Sequence, residues 1–246
     1  DGQNFAKVFD ITFTDKNGKK EYVWQNTFAI TTRMIGVLIG IHGDDKGLVL
    51  PPSLASTQVV IVPILFDDSR AKVLKEVENV KKKLEKKGFS VYVDDREGYS
   101  PGWKFNEWEV KGIPLRIEIG PKDVANKKVM VARRDTGEKK AVSTSTVEKE
   151  VDTLLQNMQK SMLQKEETIL KTSIVEVKTM KEAEKQIQNK KIVFAPWCST
   201  KECEEQFKDK TGAKSLNSPF KQPSISGKCF ACKEKATTWF YFGKSY

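Results

Sequence analysis

Cysteine is scarce and histidine almost absent in this 246-residue chain: there are four cysteines, none before residue 198, and one histidine, His42. A secreted disulfide scaffold spreads many cysteines through a short chain, so that class is excluded. Cysteines gathered at one end suit a single local metal site in a cytoplasmic protein instead. His42 reads as a structural hydrogen-bonder rather than a general base. Long apolar runs are also missing. None approaches the ~20 residues of a membrane-spanning helix, and Asp1-Gly2-Gln3-Asn4 lacks the basic-then-apolar pattern of a secretory signal, so no membrane partner is expected. Acidic residues are outnumbered, 33 against 43 Lys and Arg, leaving a formal charge of +10. That excess suits a polyanion, whose phosphates Lys and Arg neutralise with release of counterions. It suits a solvated lysine-rich surface equally well.

Phe5 to Thr14 alternates well enough for a strand, and Lys20 to Trp24 can pair with it across Lys16-Asn17-Gly18-Lys19, an Asn-Gly turn. A lone hairpin is marginal, so residues 1–52 read as the end of a domain whose start lies upstream. Met34 to Ile41 is apolar, and its period does not decide between a buried strand and a buried helix. As a helix it places Gly36 and Gly40 on one flat face and ends at Gly43. Pro51-Pro52 marks a domain boundary.

A βαβ pattern follows. Strands are predicted at Gln58–Leu65, Phe89–Val93 and Leu115–Ile119. Helices are predicted at Ala71–Lys87, stopped by Gly88, and at Pro101–Val110, capped by Ser100 with Pro101 at its first position. Lys127–Arg133 and Lys139–Thr144 form a hairpin around Asp135-Thr136-Gly137. A helix over Val147–Leu163 follows, with Ser145 and Glu148 as a possible capping box, and its charged end runs on to Thr172. Alternating strands and helices mean an α/β sheet covered on both faces. Thr179–Asn189 reads as a short helix and Ile192–Phe194 as a short strand. Trp103 and Trp108 read as core residues between helix and sheet, and Gly112 and Gly120 as tight-turn residues only.

Three stretches carry a family resemblance. "TTRMIG" followed by "HGDDKGLVLPP" resembles motif 3 of class II prolyl-tRNA synthetases: a strand, an arginine, then a buried helix. In that family the arginine packs over the adenine of ATP and reaches its terminal phosphate. The resemblance assigns this role to Arg33, with Thr31, Thr32 and Phe28 beside the nucleotide and prolyl pocket. A planar, permanently charged guanidinium suits stacking and phosphate contact together. Phe28-Ala29 departs from the Trp-Gly usual there.

Residues 99–123, "YSPGWKFNEWEVKGIPLRIEIGPKD", resemble the anticodon-binding signature of the same family. The resemblance implies that Phe105 stacks on a base, and that Glu109, Arg116, Lys122 and Asp123 contact anticodon bases. Lys139, or equally Lys140, joins them from the hairpin. The chemistry fits, because single-stranded bases are read by aromatic stacking and edge hydrogen bonds. Carboxylates accept from guanine amino groups, and cations donate to its O6 and N7.

Cys198-x4-Cys203 and Cys229-x2-Cys232, separated by a polar insert, can wrap a tetrahedral Zn2+ with four thiolates. All four positions are protein ligands, so the metal is structural. The resemblance adds that the archaeal and eukaryotic type carries such a site and ends in a Gly-basic-Ser-Tyr tail, here Gly243-Lys244-Ser245-Tyr246, whose tyrosine turns back to the catalytic domain.

The fold class expected is therefore α/β in three parts. They are the end of a class II antiparallel catalytic core (1–52), a class IIa anticodon-binding domain with a mixed sheet (53–163) and a small zinc-binding α/β domain (164–246). The resemblance implies a proline–tRNA ligase that uses ATP and Mg2+ to activate L-proline and transfers it to tRNA(Pro). It implies a homodimer formed through the catalytic domain. Motifs 1 and 2 are expected upstream of Asp1, so these residues alone should be inactive, and they contain no acid-base or nucleophilic catalyst. A non-catalytic RNA-binding module built on the same anticodon fold is the alternative. A general zinc-dependent nucleic-acid binder fits the signature less well.

Overall fold

A computed structural model describes residues 1–225 and 227–244. They fall into two compact units, Asp1–Val151 and Asp152–Tyr246.

The first unit opens with α1 (Asn4–Val8), β1 (Thr12–Thr14) and β2 (Lys20–Tyr22). Here the expected strand is cut short. Phe5 to Val8 form a helical turn that buries Ala6, and only Thr12–Thr14 pair with β2. Apolar side chains two and three apart fit one helical turn as well as a strand, and a local hydrogen bond from Ile11 N–H to the Ala6 carbonyl (2.8 Å) closes the turn. The hairpin forms as predicted. The Asp15 carboxylate accepts from the N–H groups of Asn17 (2.9 Å) and Lys19 (2.7 Å), and Gly18 supplies the positive φ, +77°.

The apolar run resolves as a helix, α2 (Arg33–His42), ending at Gly43. The strand expected before it is not formed, since residues 26–31 have no regular structure. Burial is also overturned: no α2 residue is buried, and a Cβ at Gly36 or Gly40 would meet nothing within 4 Å. The β1–β2 ribbon before it in the chain has only two strands, nearly all exposed, and forms no larger sheet on which a helix could be buried.

The rest of this unit is a five-stranded mixed sheet, ordered β4-β3-β5-β6-β7, with β3 (Val59–Pro63), β4 (Val91–Val93), β5 (Leu115–Ile119), β6 (Lys128–Arg133) and β7 (Lys139–Ser143). β3 is parallel to β4 and β5, while β6 and β7 close the sheet antiparallel. β3 is buried throughout, the mark of a strand covered on both faces. On one face Val60 and Val62 meet Trp108 and Ile113. On the other lies α3 (Arg70–Lys86), burying Val73, Val77, Val80 and Leu84 at helical spacing. α4 (Pro101–Val110) starts where Ser100 accepts the Trp103 N–H and Pro101 needs no partner. A short α5 (Pro121–Ala125) follows Gly120 in place of a simple tight turn.

Gly112 is more than a turn residue. Its φ is +72°, and a Cβ there would lie 2.5 Å from the carbonyl carbon of Leu48. Residues 47–50 run against it, with Leu48 N–H donating to Val110 O (2.9 Å) and Leu50 N–H to Gly112 O (3.1 Å). Gly120, at φ −123°, is ordinary extended backbone capping α5.

A buried ion cluster ties β4 to α4. Asp94, fully buried, accepts from Arg96 Nε (2.9 Å) and Nη2 (2.8 Å), and from Trp108 Nε1 (2.8 Å). Lys104 Nζ donates to its carbonyl at 3.0 Å. The Arg96 fork first, then Trp108 and Lys104, hold the Asp94 carboxyl well below the usual carboxylate range against the cost of burial. A depressed folded-state pKa stabilises the fold above the unfolded-state value, near 4, and the contribution is lost as pH falls toward the folded value. Urea unfolding midpoints of the wild type should therefore hold steady from pH 7 to 5 and drop below about pH 4. In Asp94→Asn that acid-side drop should shrink. An unchanged acid slope would mean that Asp94 adds no pH-linked stability.

α6 (Val147–Ser173) is one unbroken helix, crossing position 163/164. The second unit continues with β8 (Ile174–Glu176), α7 (Met180–Gln188), β9 (Ile192–Trp197), α8 (Lys201–Thr211), β10 (Lys214–Ser215) and β11 (Thr238–Gly243). Its sheet runs β10-β11-β9-β8, with β8 parallel and β11 antiparallel to β9. Phe207, Phe230 and Phe242 meet edge-on or tilted, with ring centroids 5.1–5.4 Å apart. Cys203 and Cys229 belong to the same core as these rings.

Among the described residues no helix is long and apolar enough to cross a membrane. Ser245 and Tyr246, including the expected turn of the tyrosine, lie outside the described residues.

Candidate nucleic-acid interface and metal centre

α4, β5 and the β6–β7 hairpin bring several predicted residues together. The Arg116 guanidinium lies 4.4 Å over the Phe105 ring and donates from Nη1 to the Phe105 carbonyl at 3.2 Å. Its Nε and Nη2 reach Glu118 Oε1 at 3.2 and 2.9 Å. Lys139 Nζ reaches the same oxygen at 2.8 Å and lies 5.5 Å from the Phe105 ring centroid. Phe105 thus already carries a cation on one face. Lys140 points elsewhere, pairing with Glu150 at 2.8 Å, so the hairpin lysine of this cluster is Lys139.

Glu109 lines the same cavity, of about 200 Å³, with Arg116, Lys139, Lys46, Arg133 and Arg134. Its carboxylate pairs with Lys46 at 3.0 Å, and its carbonyl accepts from Arg134 Nε at 2.7 Å. Arg134 also forks onto Asp44, at 2.8 and 2.6 Å, and that fork holds the Asp44 carboxyl far below its ordinary range. Arg133 is matched by Asp135 at 2.7 Å. The cavity therefore presents cationic donors beside one carboxylate acceptor, the complement of a guanine edge.

Lys122 and Asp123 do not join it. They lie past the far end of β5, whose five residues span roughly 13 Å at strand rise. Asp123 caps α5 by accepting the Gly120 N–H at 2.9 Å. Only strand ends on the same side of a sheet converge, and Arg116 and Lys122 sit at opposite ends.

Sequence reasoning missed Glu118, Lys46, Arg134 and Asp44. Glu118 was readable: Arg116-x-Glu118 on a strand puts both side chains on one face. Lys46 and Asp44 precede the Pro51-Pro52 boundary, and only the backbone pairing of residues 48–50 with α4's end brings them here.

Trp103, expected in the core, is 45% exposed, whereas Trp108 is buried as expected. Arg33 is the first residue of α2, and Phe28, Thr31, Thr32 and Arg33 are all exposed. They line no part of the cavity above.

In the second unit Cys198 directly follows β9, Cys203 sits on α8, and Cys229 and Cys232 lie on the loop before β11. Their four Sγ atoms lie within 4.8 Å of one another, with Cys198 and Cys232 at 3.7 Å. Four thiolates at 2.3 Å around a tetrahedral ion stand about 3.8 Å apart, so the donor set fits Zn2+. Burial pushes the Cys203 and Cys229 thiols up. At Cys198 burial is the largest single effect and opposes ionisation too, but hydrogen bonds from Thr200, Cys203 and Cys229 together outweigh it and lower the thiol to about 7. It is the only group of three or more Cys, His, Asp or Glu able to hold a metal among the described residues.

Comparison with known proteins agrees with this geometry. Residues 58–154 match the family model "Anticodon binding domain", and residues 180–246 match "Prolyl-tRNA synthetase, C-terminal". The chain is 42% identical to "Proline--tRNA ligase, cytoplasmic" of Arabidopsis thaliana, over 100% of this chain and 48% of that protein. It is 43% identical to "Proline--tRNA ligase" of Ruminiclostridium cellulolyticum, over 100% of this chain and 51% of that one. The same name, identity and coverage hold for a relative from Clostridium botulinum. The chain spans about half the length of the curated relatives it matches. With an anticodon-binding sheet followed by a four-cysteine α/β unit, it belongs to the prolyl-tRNA synthetase family, of which it forms the anticodon-binding and C-terminal region.

Proposed function

We propose that this chain reads the anticodon of tRNA(Pro) for a cytoplasmic proline–tRNA ligase, which activates L-proline with ATP and transfers it to that tRNA. The observation that carries this is the Arg116–Glu118–Lys139 cluster on Phe105, opening into a cavity with Glu109 and Lys46. Glu118 holds both cations by charge-assisted hydrogen bonds, so their donors are aimed before RNA arrives. Arg116 and Lys139 donate to a guanine O6 and N7, and Glu109 accepts from its amino group. Lys122 and Asp123 serve a neighbouring nucleotide beyond the cavity.

In the three-part division, residues 1–52 end the catalytic domain, 53–163 bind the anticodon and 164–246 bind zinc. Arg33, with Thr31, Thr32 and Phe28, faces the ATP and prolyl pocket when the rest of a catalytic domain and Mg2+ are present. Exposed as they are here, these residues enclose no nucleotide. Dimerisation belongs to the catalytic domain. Cys198, Cys203, Cys229 and Cys232 hold a structural Zn2+, with no coordination position left for a substrate.

Binding of tRNA(Pro) tests the reading. Glu109→Ala and Arg116→Ala should each weaken it by about 1–3 kcal/mol, and their preference over a tRNA mutated at the second or third anticodon base should shrink. Uniform loss for matched and mismatched tRNAs would assign these residues to the RNA backbone or the fold instead.

A further inference from the structure

We propose that Tyr99, Trp103 and Arg96 form a second stacking site for one unpaired RNA base, on the flank of α4 away from the Arg116 cavity. The proposal rests on the reading that this domain binds an anticodon loop. The Tyr99 and Trp103 rings stack with centroids 4.2 Å apart at 22°. The Arg96 guanidinium lies 5.2 Å from the first centroid and 5.5 Å from the second. Both aromatic residues are nearly half exposed, at 47% and 45%. Burial in the core therefore does not explain them.

The platform is rigid before any ligand arrives. Arg96 is fixed from below by its fork on the fully buried Asp94 and by its ion pair with Glu107. Trp103 sits in the first turn of α4, its N–H accepted by the Ser100 hydroxyl at 3.3 Å. Stacking on a held aromatic costs little ordering entropy, and every base has a face to offer.

Its position follows from helix geometry. Buried Lys104 and Trp108 mark the side of α4 that faces the sheet. At 100° per residue Trp103 falls on one flank of that side, and Phe105 and Glu109 on the other. The first flank adjoins Asp94 and Arg96, which follow β4, and the second adjoins β5. A helix with its side chains is about 10–12 Å across, roughly three stacked nucleotide steps of ~3.4 Å. A single-stranded loop laid over α4 therefore reaches both sites with different bases.

Charge points to a base face rather than a phosphate. The cations here are matched by acids: Arg70 by Glu97 at 2.6 Å, Lys111 by Glu107 at 2.7 Å, and Arg96 and Lys104 by Asp94. Neither ring carries a charge, so the loss of these rings should be felt by one base and should not alter salt dependence.

The test measures binding of the 246-residue chain to anticodon stem-loop RNAs of tRNA(Pro), each with one loop base replaced by an abasic site. Tyr99→Ala/Trp103→Ala should weaken binding of the intact RNA about tenfold, with the slope of log Kd on log salt unchanged. One abasic RNA should bind the wild type about tenfold more weakly than the intact RNA and bind the double variant no more weakly than the intact RNA does. Trp103→Phe should restore most of the affinity. Binding within twofold of wild type would overturn the proposal, as would an equal loss against every abasic RNA. A changed oligomeric state of the RNA-free variant would overturn it in favour of a protein contact. Arg116→Ala separates the two readings in the same assay. If it loses its preference for the matched anticodon while the double variant keeps the intact-over-abasic difference at every loop position, only the platform falls; if Arg116→Ala keeps its preference and the double variant keeps that difference, the anticodon reading falls with it.

Discussion

Chelation, or replacement of Cys203 by Ser, is expected to unfold the second unit from about Pro196 onward while the five-stranded sheet of the first stays folded. The thiols do not decorate a finished domain. Cys203 and Cys229 sit in a core of twelve buried residues with Phe207, Phe230 and Phe242. They tie together β9, α8 and the loop before β11. Residues 216–225 and 227–237 have almost no regular structure. They are held to the strands by hydrogen bonds such as Gln222 with the Trp239 backbone, at 2.8 and 3.3 Å, Phe230 N–H with Pro196 O, at 2.9 Å, and Thr237 N–H with Trp197 O, at 2.8 Å. With Cys229, Phe230 and Ala236 as the buried apolar residues described in it, such a loop recovers only part of its ordering cost from packing. Structural zinc contributes about 10–16 kcal/mol of apparent binding energy in small zinc-finger peptides, comparable with the whole 5–15 kcal/mol stability of a typical domain.

Metal analysis should find about one zinc per chain. Binding releases protons from the thiols, so affinity should fall as pH drops. Chelator should abolish the near-ultraviolet signal of Trp197 and Trp239 and open residues from about Pro196 onward to protease. A metal-free protein that resists protease as before would show that the aromatic core holds the unit without an ion.

How much of this could be read beforehand depended on where the determining interactions lie. α4 and β5 have the bounds read from sequence, Pro101–Val110 and Leu115–Ile119, because their signals are local: a Ser cap, a proline at the first helical position and an apolar residue at every second position of the strand. α8 and β11 were not read at all. α8 buries only Cys203 and Phe207, too thin a stripe to stand out, although Gly212 at φ +73° marks its end. β11 is an aromatic run, Thr238–Gly243, of which the tail motif touches only the end, and its partner β9 lies some forty residues earlier. The exposure of Trp103 was equally hidden. Its ring and that of Trp108 are five residues apart on one helix, and only the sheet decides which is covered.

The site follows the same rule. Residue types at Glu109, Arg116 and Lys139 were legible from the signature, and so were the four cysteines. That Glu118 would hold Arg116 and Lys139 together depends on pairing across β5, β6 and β7. That Lys46 and Arg134 would flank Glu109 depends on a strap from residues 44–50, which no local pattern announces.

That strap makes Gly112→Ala a damaging single-methyl change in the first unit. Two separate costs add at Gly112. Its φ of +72° is left-handed, which disfavours any side chain. A Cβ would also stand 2.5 Å from both the carbonyl carbon and the oxygen of Leu48. Backbone cannot rotate out of the way as a side chain can, so the strap must lift or the turn after α4 must deform. Strain and overpacking together should cost roughly 2–6 kcal/mol. Gly88→Ala is the control, because Gly88 has φ +96° with nothing within 4 Å of a Cβ. It bears the backbone strain without the collision, about 1–2 kcal/mol. The strap carries Asp44 and Lys46, whose partners are Arg134 and Glu109. Gly112→Ala should therefore also blunt anticodon discrimination at temperatures where the sheet remains folded, whereas Gly88→Ala should not. Urea midpoints of the two variants, read beside their tRNA(Pro) binding, decide the matter. If Gly112→Ala is no more destabilised than Gly88→Ala, the close approach of residues 47–50 does not hold this unit together.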